Sequence, residues 1–403
     1  DVNARNINKR TALMIASEKG YLDIVKFLIK EKGRLDLKDR YGRKAWNFAA
    51  DNGHLKLVEF LSKKEINNQS NLFYAVSHGL YGVVKVLLNL NVNTEVFDAE
   101  GWTPLMWAAN NNLTNIVQIL LEKGALLNGS NGTGSTFSGW TPLMLASGGG
   151  HLETVKTLVN NGYNEVVLTG VDITDYGNDL PGKPNLFQLV KRILNLIPNL
   201  KQLRLSSIDC AEISDDFWPL LEEKRLMPHF HLSLQAGNDL VLKRMKRRHN
   251  RKQVIDFVKK VRSLRKDVAL GADIIAGFPT ESEDMFRDSI NLIKECKITH
   301  LHVFPYSKRE NTPAARMPQT PKDIIKNRAK LLRNEGEKQM KNYLDKQIGS
   351  SALVLVEQNK ENFSYGKSQH FTKIKIEKKI ETGKIVKCLI TGRENDILNA
   401  QLI

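Results

Sequence analysis

The sequence predicts a multidomain chain in three styles: an all-α solenoid, then an α/β series of strand–helix units, then a small all-β barrel. Three observations predict this. A short block ending in alanine recurs through the first 162 residues; from Glu165 the pattern changes to short apolar runs alternating with helical spacing; and the last 56 residues alternate apolar and polar positions between polar turns. A length of 403 residues matches two or three domains.

The repeated blocks are Thr11-Ala-Leu-Met-Ile-Ala16, Lys44-Ala-Trp-Asn-Phe-Ala49, Thr103-Pro-Leu-Met-Trp-Ala108 and Thr141-Pro-Leu-Met-Leu-Ala146, with a weaker copy at 71–75. Their closing alanines are spaced 33, 26, 33 and 38 residues apart, the last interval carrying a Gly/Ser/Thr-rich insertion at 129–138. Each block is followed by a glycine turn and an apolar helix such as Leu22–Ile29 or Leu113–Leu121. Thr-Pro begins a helix well, because proline at the first turn lacks only a donor that would be unpaired there. These blocks resemble ankyrin repeats over about residues 1–162. The resemblance implies stacked helix pairs and a concave protein-binding surface without chemistry of its own. Trp102, Trp107 and Trp140 read as packing residues.

Five strand–helix units follow. Runs at Val166–Gly170, Leu203–Ile208, His229–Gln235, Ala269–Gly277 and Thr299–Pro305 read as strands. Helices are expected near Leu186–Ile197, Phe217–Lys224, a basic segment after Gln235, Glu281–Glu295 and Lys322–Gln347. Alternating strands and helices imply parallel pairing, with function at the C-terminal strand ends. Those ends are rich in polar, glycine and proline residues, which reads as a ligand-binding face. In the last segment, Leu353–Glu357, His370–Ile376 and Ile385–Ile390 are expected strands; Thr372-Lys-Ile-Lys-Ile376 places lysines on one face and isoleucines on the other.

Charge divides the chain. Of 60 Lys+Arg and 44 Asp+Glu, residues 1–165 hold 18 and 15, leaving 42 against 29 behind them. A basic second half suits a polyanionic partner. No apolar run approaches the ~20 residues of a membrane span. No secretory signal is visible at Asp1, and a fragment of a longer gene is one expectation. Cys210, Cys296 and Cys388 stand 86 and 92 residues apart, with no metal or disulfide spacing, which suits a cytoplasmic location and buried thiols. No catalytic residue and no metal ligand is assigned from the sequence.

Six ordered motifs carry a second resemblance. They are Leu168-Thr-Gly-Val-Asp-Ile-Thr-Asp-Tyr-Gly177, Arg204–Asp209, Met227-Pro-His-Phe-His-Leu-Ser-Leu-Gln-Ala-Gly-Asn238, Lys243–Arg247, Asp273-Ile-Ile-Ala-Gly-Phe-Pro-Thr-Glu281, and Phe304-Pro-Tyr-Ser-Lys-Arg309 with Thr312-Pro-Ala-Ala315. Residues 165–403 resemble the radical S-adenosylmethionine tRNA methylthiotransferases of the MtaB-like branch, which act on threonylcarbamoyladenosine beside the anticodon. The resemblance implies a partial TIM-like radical SAM barrel lacking its first strand over 165–347, and a TRAM-like RNA-binding domain over 348–403. It implies S-adenosylmethionine and a [4Fe–4S] cluster as cofactors. The strand-end positions Gly170, Asp172, Ser206, Ser207, Ser233, Gln235, Gly277 and Pro279 fall where the family surrounds cofactor and base. Lys243, Arg244, Lys246, Arg247, Arg248, Lys373 and Lys375 are the expected RNA contacts, with Phe371 a candidate for base stacking. Asn311 stands where glycine is usual, which is tolerable at a positive φ.

The family holds its cluster on C-x-x-x-C-x-x-C, and these 403 residues contain no such motif. The chain therefore reads as a gene fusion, a replaced 5′ end or an assembly join, with an enzyme part that is inactive alone and retains tRNA-binding surface. The competing reading is an ankyrin interaction protein with an unidentified protein partner and a passenger enzyme remnant.

Overall fold

The computed structural model describes residues 1–65, 68–128, 139–170 and 172–403; the insertion expected at 129–138 lies outside them. The described residues form two compact units, Asp1–Tyr163 and Asn164–Ile403.

The first unit is five helix pairs: Ala12–Glu18 and Leu22–Lys30 (α1, α2), Ala45–Asp51 and Leu55–Lys64 (α3, α4), Gln69–Ser77 and Tyr81–Asn89 (α5, α6), Pro104–Asn110 and Thr114–Glu122 (α7, α8), and Pro142–Gly148 and Leu152–Asn160 (α9, α10). The recurring threonine caps the first helix of its pair. Thr11, Thr103 and Thr141 accept from the backbone N–H of Met14, Met106 and Met144 at 3.3, 3.1 and 3.3 Å. Where Lys44 replaces threonine, Asn47 takes over and accepts from the Lys44 N–H at 2.9 Å. Ala49, Ala75, Ala108 and Ala146 are fully buried, so the small side chain lets neighbouring helices approach. Trp102 and Trp107 pack against each other with ring centres 5.4 Å apart, and Trp107 donates to Asp98 at 2.6 Å.

The second unit begins with strand β1 (Glu165–Leu168), α11 (Leu186–Leu196), β2 (Gln202–Leu205), β3 (Ser207–Ile208) and α12 (Phe217–Leu220). It continues with β4 (His229–Gln235), α13 (Asp239–Arg244), α14 (Arg251–Leu264), β5 (Ala269–Ala276), α15 (Glu283–Glu295), β6 (His300–Pro305) and α16 (Lys322–Gln347). All pairings among these six strands are parallel. β1 pairs with β2, and β3-β4-β5-β6 form a four-stranded sheet in chain order. The chain before β4 bridges the two sheets through Leu203 and Leu226. Sequential order with helical crossovers is the arrangement of a barrel arc.

Three local expectations need correction. The predicted strand Leu203–Ile208 is interrupted at Ser206. The helix expected over Phe217–Lys224 stops at Leu220, because the Glu223 carboxylate captures the Arg225 backbone N–H at 3.0 Å and its guanidinium at 2.8 Å, turning the chain. The basic segment is two helices rather than one, broken at 245–250. There His249 is buried, with Nδ1 3.2 Å from Asp209 and Nε2 3.1 Å from the Leu234 carbonyl, and Asn250 caps α14 by accepting from the Gln253 N–H at 2.9 Å.

The remaining chain closes a barrel in the order β10-β11-β9-β8-β7, from Ser351–Lys360 (β7), Phe363–Ser368 (β8), Lys373–Ile376 (β9), Ile385–Glu394 (β10) and Ile397–Leu402 (β11). Closure removes exposed strand edges. Val354, Val356, Ile374, Ile376, Ile390 and Leu398 fill it, together with Leu344 of α16.

Gly237 holds the β4–α13 turn against α15. A Cβ there meets the Ser289 Cα at 2.4 Å and the Asp288 carbonyl at 2.7 Å, both backbone atoms that cannot rotate away. Gly237→Ala is therefore expected to destabilise the second unit by about 1–3 kcal/mol, read as a lower urea midpoint.

Candidate functional site

Strand alternation aims one face of the parallel sheet away from its helices. Phe230, Leu232 and Leu234 of β4 are fully buried, whereas His231, Ser233 and Gln235 are only partly so. The same alternation brings forward Asp273 of β5 and His302 and Phe304 of β6. This face and the rim at its C-terminal strand ends form the candidate site.

The rim carries backbone strain. Gln235, Thr280 and Asn311 adopt φ of 64°, 67° and 65°. For β-branched Thr280 this is a true outlier, and strain of this kind gathers at functional sites. Asn311 has the positive φ anticipated for it. Buried oxygens at Ser206 Oγ, Thr280 Oγ1 and Tyr306 Oη have no protein partner, which leaves hydrogen-bonding capacity for a polar ligand. Gly277 donates its N–H to the Glu281 carboxylate at 3.1 Å, and Arg328 holds that carboxylate at 2.9 Å in a buried pair.

The expected cofactor positions occupy this rim in different ways. Gly170 and Asp172 follow β1 and are exposed; Ser207 lies on β3, Ser233 and Gln235 on β4, and Pro279 is buried after β5. Asp172 accepts from Thr174 at 2.7 Å and lies 3.3 Å from Arg248.

Among the expected RNA contacts, Lys243, Lys246 and Arg247 are exposed. Arg244 instead donates to the Thr280 carbonyl at 3.1 Å, and Arg248 is surrounded by Asp172, Asp175 and Glu212. On the barrel Lys373 is exposed, while the Lys375 ammonium sits 4.2 Å from the Phe363 ring centre. Phe371 is engaged within the fold: its ring stacks on His229 at 5.1 Å, with Arg204 at 5.2 Å and Lys367 at 3.9 Å.

The cysteine donor set does not fit an iron–sulfur cluster. Cys210 follows β3, Cys296 ends α15 and Cys388 lies inside the barrel on β10. Cys296 and Cys388 are buried and Cys210 is partly so. Burial raises all three thiols, Cys296 and Cys388 to about 11, away from the thiolate form that binds iron.

Sequence reasoning missed the histidines. His229 and His231 on β4 and His300 and His302 on β6 reach toward one another across β5, with rings 4.7 Å apart for His229–His300 and 4.9 Å for His231–His302. The doubled His-x-His pattern, 229 with 231 and 300 with 302, was the available signal, since alternate strand residues share a face. Burial lowers His229 well below its usual range and His300 to about 4. Burial acts to raise the Asp273 carboxyl, yet the hydrogen bond from His231 and the neighbouring imidazoles hold it below the usual carboxylate range. A cleft of about 440 Å³ beside α11 and α12, lined by Lys191, Asp215 and Glu223, contains none of the motif residues.

Residues 1–71 and 72–169 match ankyrin repeats (3 copies), and residues 151–293 match the radical SAM superfamily. The chain joins ankyrin repeats to a radical SAM region. Over 250 residues it is 50% identical to a threonylcarbamoyladenosine tRNA methylthiotransferase MtaB of Rickettsia prowazekii (strain Madrid E), covering 62% of this chain and 58% of that protein. It is 34% identical over 238 residues to the protein so named in Aquifex aeolicus (strain VF5), covering 59% of this chain and 56% of that one. A tRNA-2-methylthio-N(6)-dimethylallyladenosine synthase of Acetivibrio thermocellus is 32% identical over 208 residues, covering 51% of this chain and 43% of that protein. The chain thus spans somewhat over half the length of the first two relatives. The radical SAM region is followed by a TRAM-like closed barrel. Among the described residues no helix is long and apolar enough to cross a membrane.

Proposed function

We propose that the second unit binds transfer RNA near the anticodon, as a derivative of the methylthiotransferases, and that these 403 residues by themselves do not install the methylthio group. The observation that carries the binding half is a strained, partly unsatisfied rim next to three exposed cations, Lys243, Lys246 and Arg247, for which no carboxylate lies within ion-pair distance among the described residues. Names of the relatives supply the substrate class. Ser206, Thr280 and Tyr306 are suited to hydrogen-bond the ribose or base of a nucleoside-bearing ligand such as S-adenosylmethionine. A cluster is what supplies the electron for radical formation in this chemistry, and the thiols of this chain are not arranged to seat one. The ankyrin unit contributes a surface for a protein partner.

The binding test is a titration of unmodified tRNA across a salt series. Phosphate contacts make the logarithm of affinity fall linearly with the logarithm of salt. The triple variant K243E/K246E/R247E is expected to lose binding at least about 10-fold and to flatten the salt slope by roughly 2–3. Binding that ignores salt, or is unchanged in the variant, contradicts the reading.

A further inference from the structure

The side chains of His231, Asp273 and His302 converge from three neighbouring strands, β4, β5 and β6. His231 Nε2 lies 2.9 Å and His302 Nδ1 3.3 Å from the same Asp273 oxygen, and one donor atom from each residue falls within a common 4.8 Å. Four-coordinate zinc with bonds of about 2.0–2.1 Å separates its ligands by roughly 3.3 Å, so small side-chain rotations suffice to place an ion among the three.

Two features of the backbone build this constellation. Asp273 and His302 are direct register partners across β5 and β6, which fixes the spacing of their side chains on one face. His231 is register partner to Gly271, not to Asp273, and reaches the carboxylate by lying across the glycine. A Cβ at Gly271 meets His231 Nδ1 at 2.4 Å and the His300 carbonyl at 3.1 Å, so the absent side chain is what admits the imidazole. His302 is 62% exposed at its side chain, whereas His231 and Asp273 are 12% and 23% exposed, so the three-ligand cluster is held by the sheet on one side and open to solvent on the other.

We propose that His231, Asp273 and His302 form a binding site for one borderline divalent transition metal ion, of the zinc or cobalt type, with a fourth position open to water or an exogenous ligand. Two imidazoles and one carboxylate suit such ions. Magnesium and calcium prefer all-oxygen shells, and soft ions prefer thiolates. Three protein ligands with one free position is the arrangement of accessible rather than purely structural zinc sites. The site uses none of the cysteines and does not depend on tRNA binding.

The test is a cobalt(II) titration of the full chain after chelator treatment, read by visible d–d absorption, followed by zinc displacement and metal analysis. The expected result is one equivalent of cobalt, displaced by zinc, with affinity reduced at least about 100-fold in H302A and in D273N. His302 is exposed, so H302A keeps its fold, and circular dichroism verifies that. Absence of saturable binding, or equal affinity in H302A and the parent, overturns the proposal.

Discussion

Arg204→Ala is expected to destabilise the second unit by about 3–5 kcal/mol, the loss typical of breaking a buried ion pair from one side. Arg204 lies on β2 and is 3% exposed. Its Nε donates to Glu165 on β1 at 2.6 Å, and its two terminal nitrogens donate to the Gln369 and Ser368 carbonyls at 3.0 and 2.9 Å. The same guanidinium faces the Phe371 ring, which stacks on His229. One side chain therefore ties together the first two strands and the loop between β8 and β9. Removing it strands a mostly buried carboxylate and the Gln369 carbonyl, while the Ser368 carbonyl keeps the Phe371 N–H at 2.9 Å. Burial already raises the Glu165 carboxyl, with Arg204 the chief opposing influence. Arg204→Lys is expected to recover only part of the loss, because an ammonium cannot reproduce the planar fork. Chemical denaturation of the three proteins measures this; a loss below about 1 kcal/mol in the alanine variant contradicts the assigned role.

The second large effect concerns the cluster. Iron and sulfide reconstitution of this chain is expected to yield no [4Fe–4S] centre, since the thiols sit on a strand exit, a helix end and a barrel strand. Iron bound at the proposed His/Asp site would carry no sulfide, so acid-labile sulfide separates the two.

Much of this architecture was legible in the sequence because local physics and tertiary packing agree there. Thr11, Thr103 and Thr141 each cap the first helix of their block, and the alanine five residues on is buried. His229–Gln235 and Lys322–Gln347 have the bounds that their alternation and length suggest. In the barrel, β8 and β11 escaped notice. Phe363-Ser-Tyr-Gly-Lys-Ser368 is polar and glycine-bearing, and its pairing is supplied by β7 and β9 rather than by propensity. The broken basic helix was hidden for a similar reason: burial of His249 against Asp209 depends on residues 40 positions away. In the site, the rim motifs were visible. The state of their charges was not, since pairing of Arg248 with three carboxylates and stacking of Phe371 on His229 are tertiary facts. The histidine triad needed register as well as alternation, because His231 reaches Asp273 across Gly271.

The most direct measurement is nucleoside mass spectrometry of tRNA incubated anaerobically with this iron-loaded chain, S-adenosylmethionine, a reductant and a sulfur source. The account predicts that threonylcarbamoyladenosine stays unmodified while tRNA remains bound at low salt. Formation of the methylthio nucleoside by the isolated chain contradicts it.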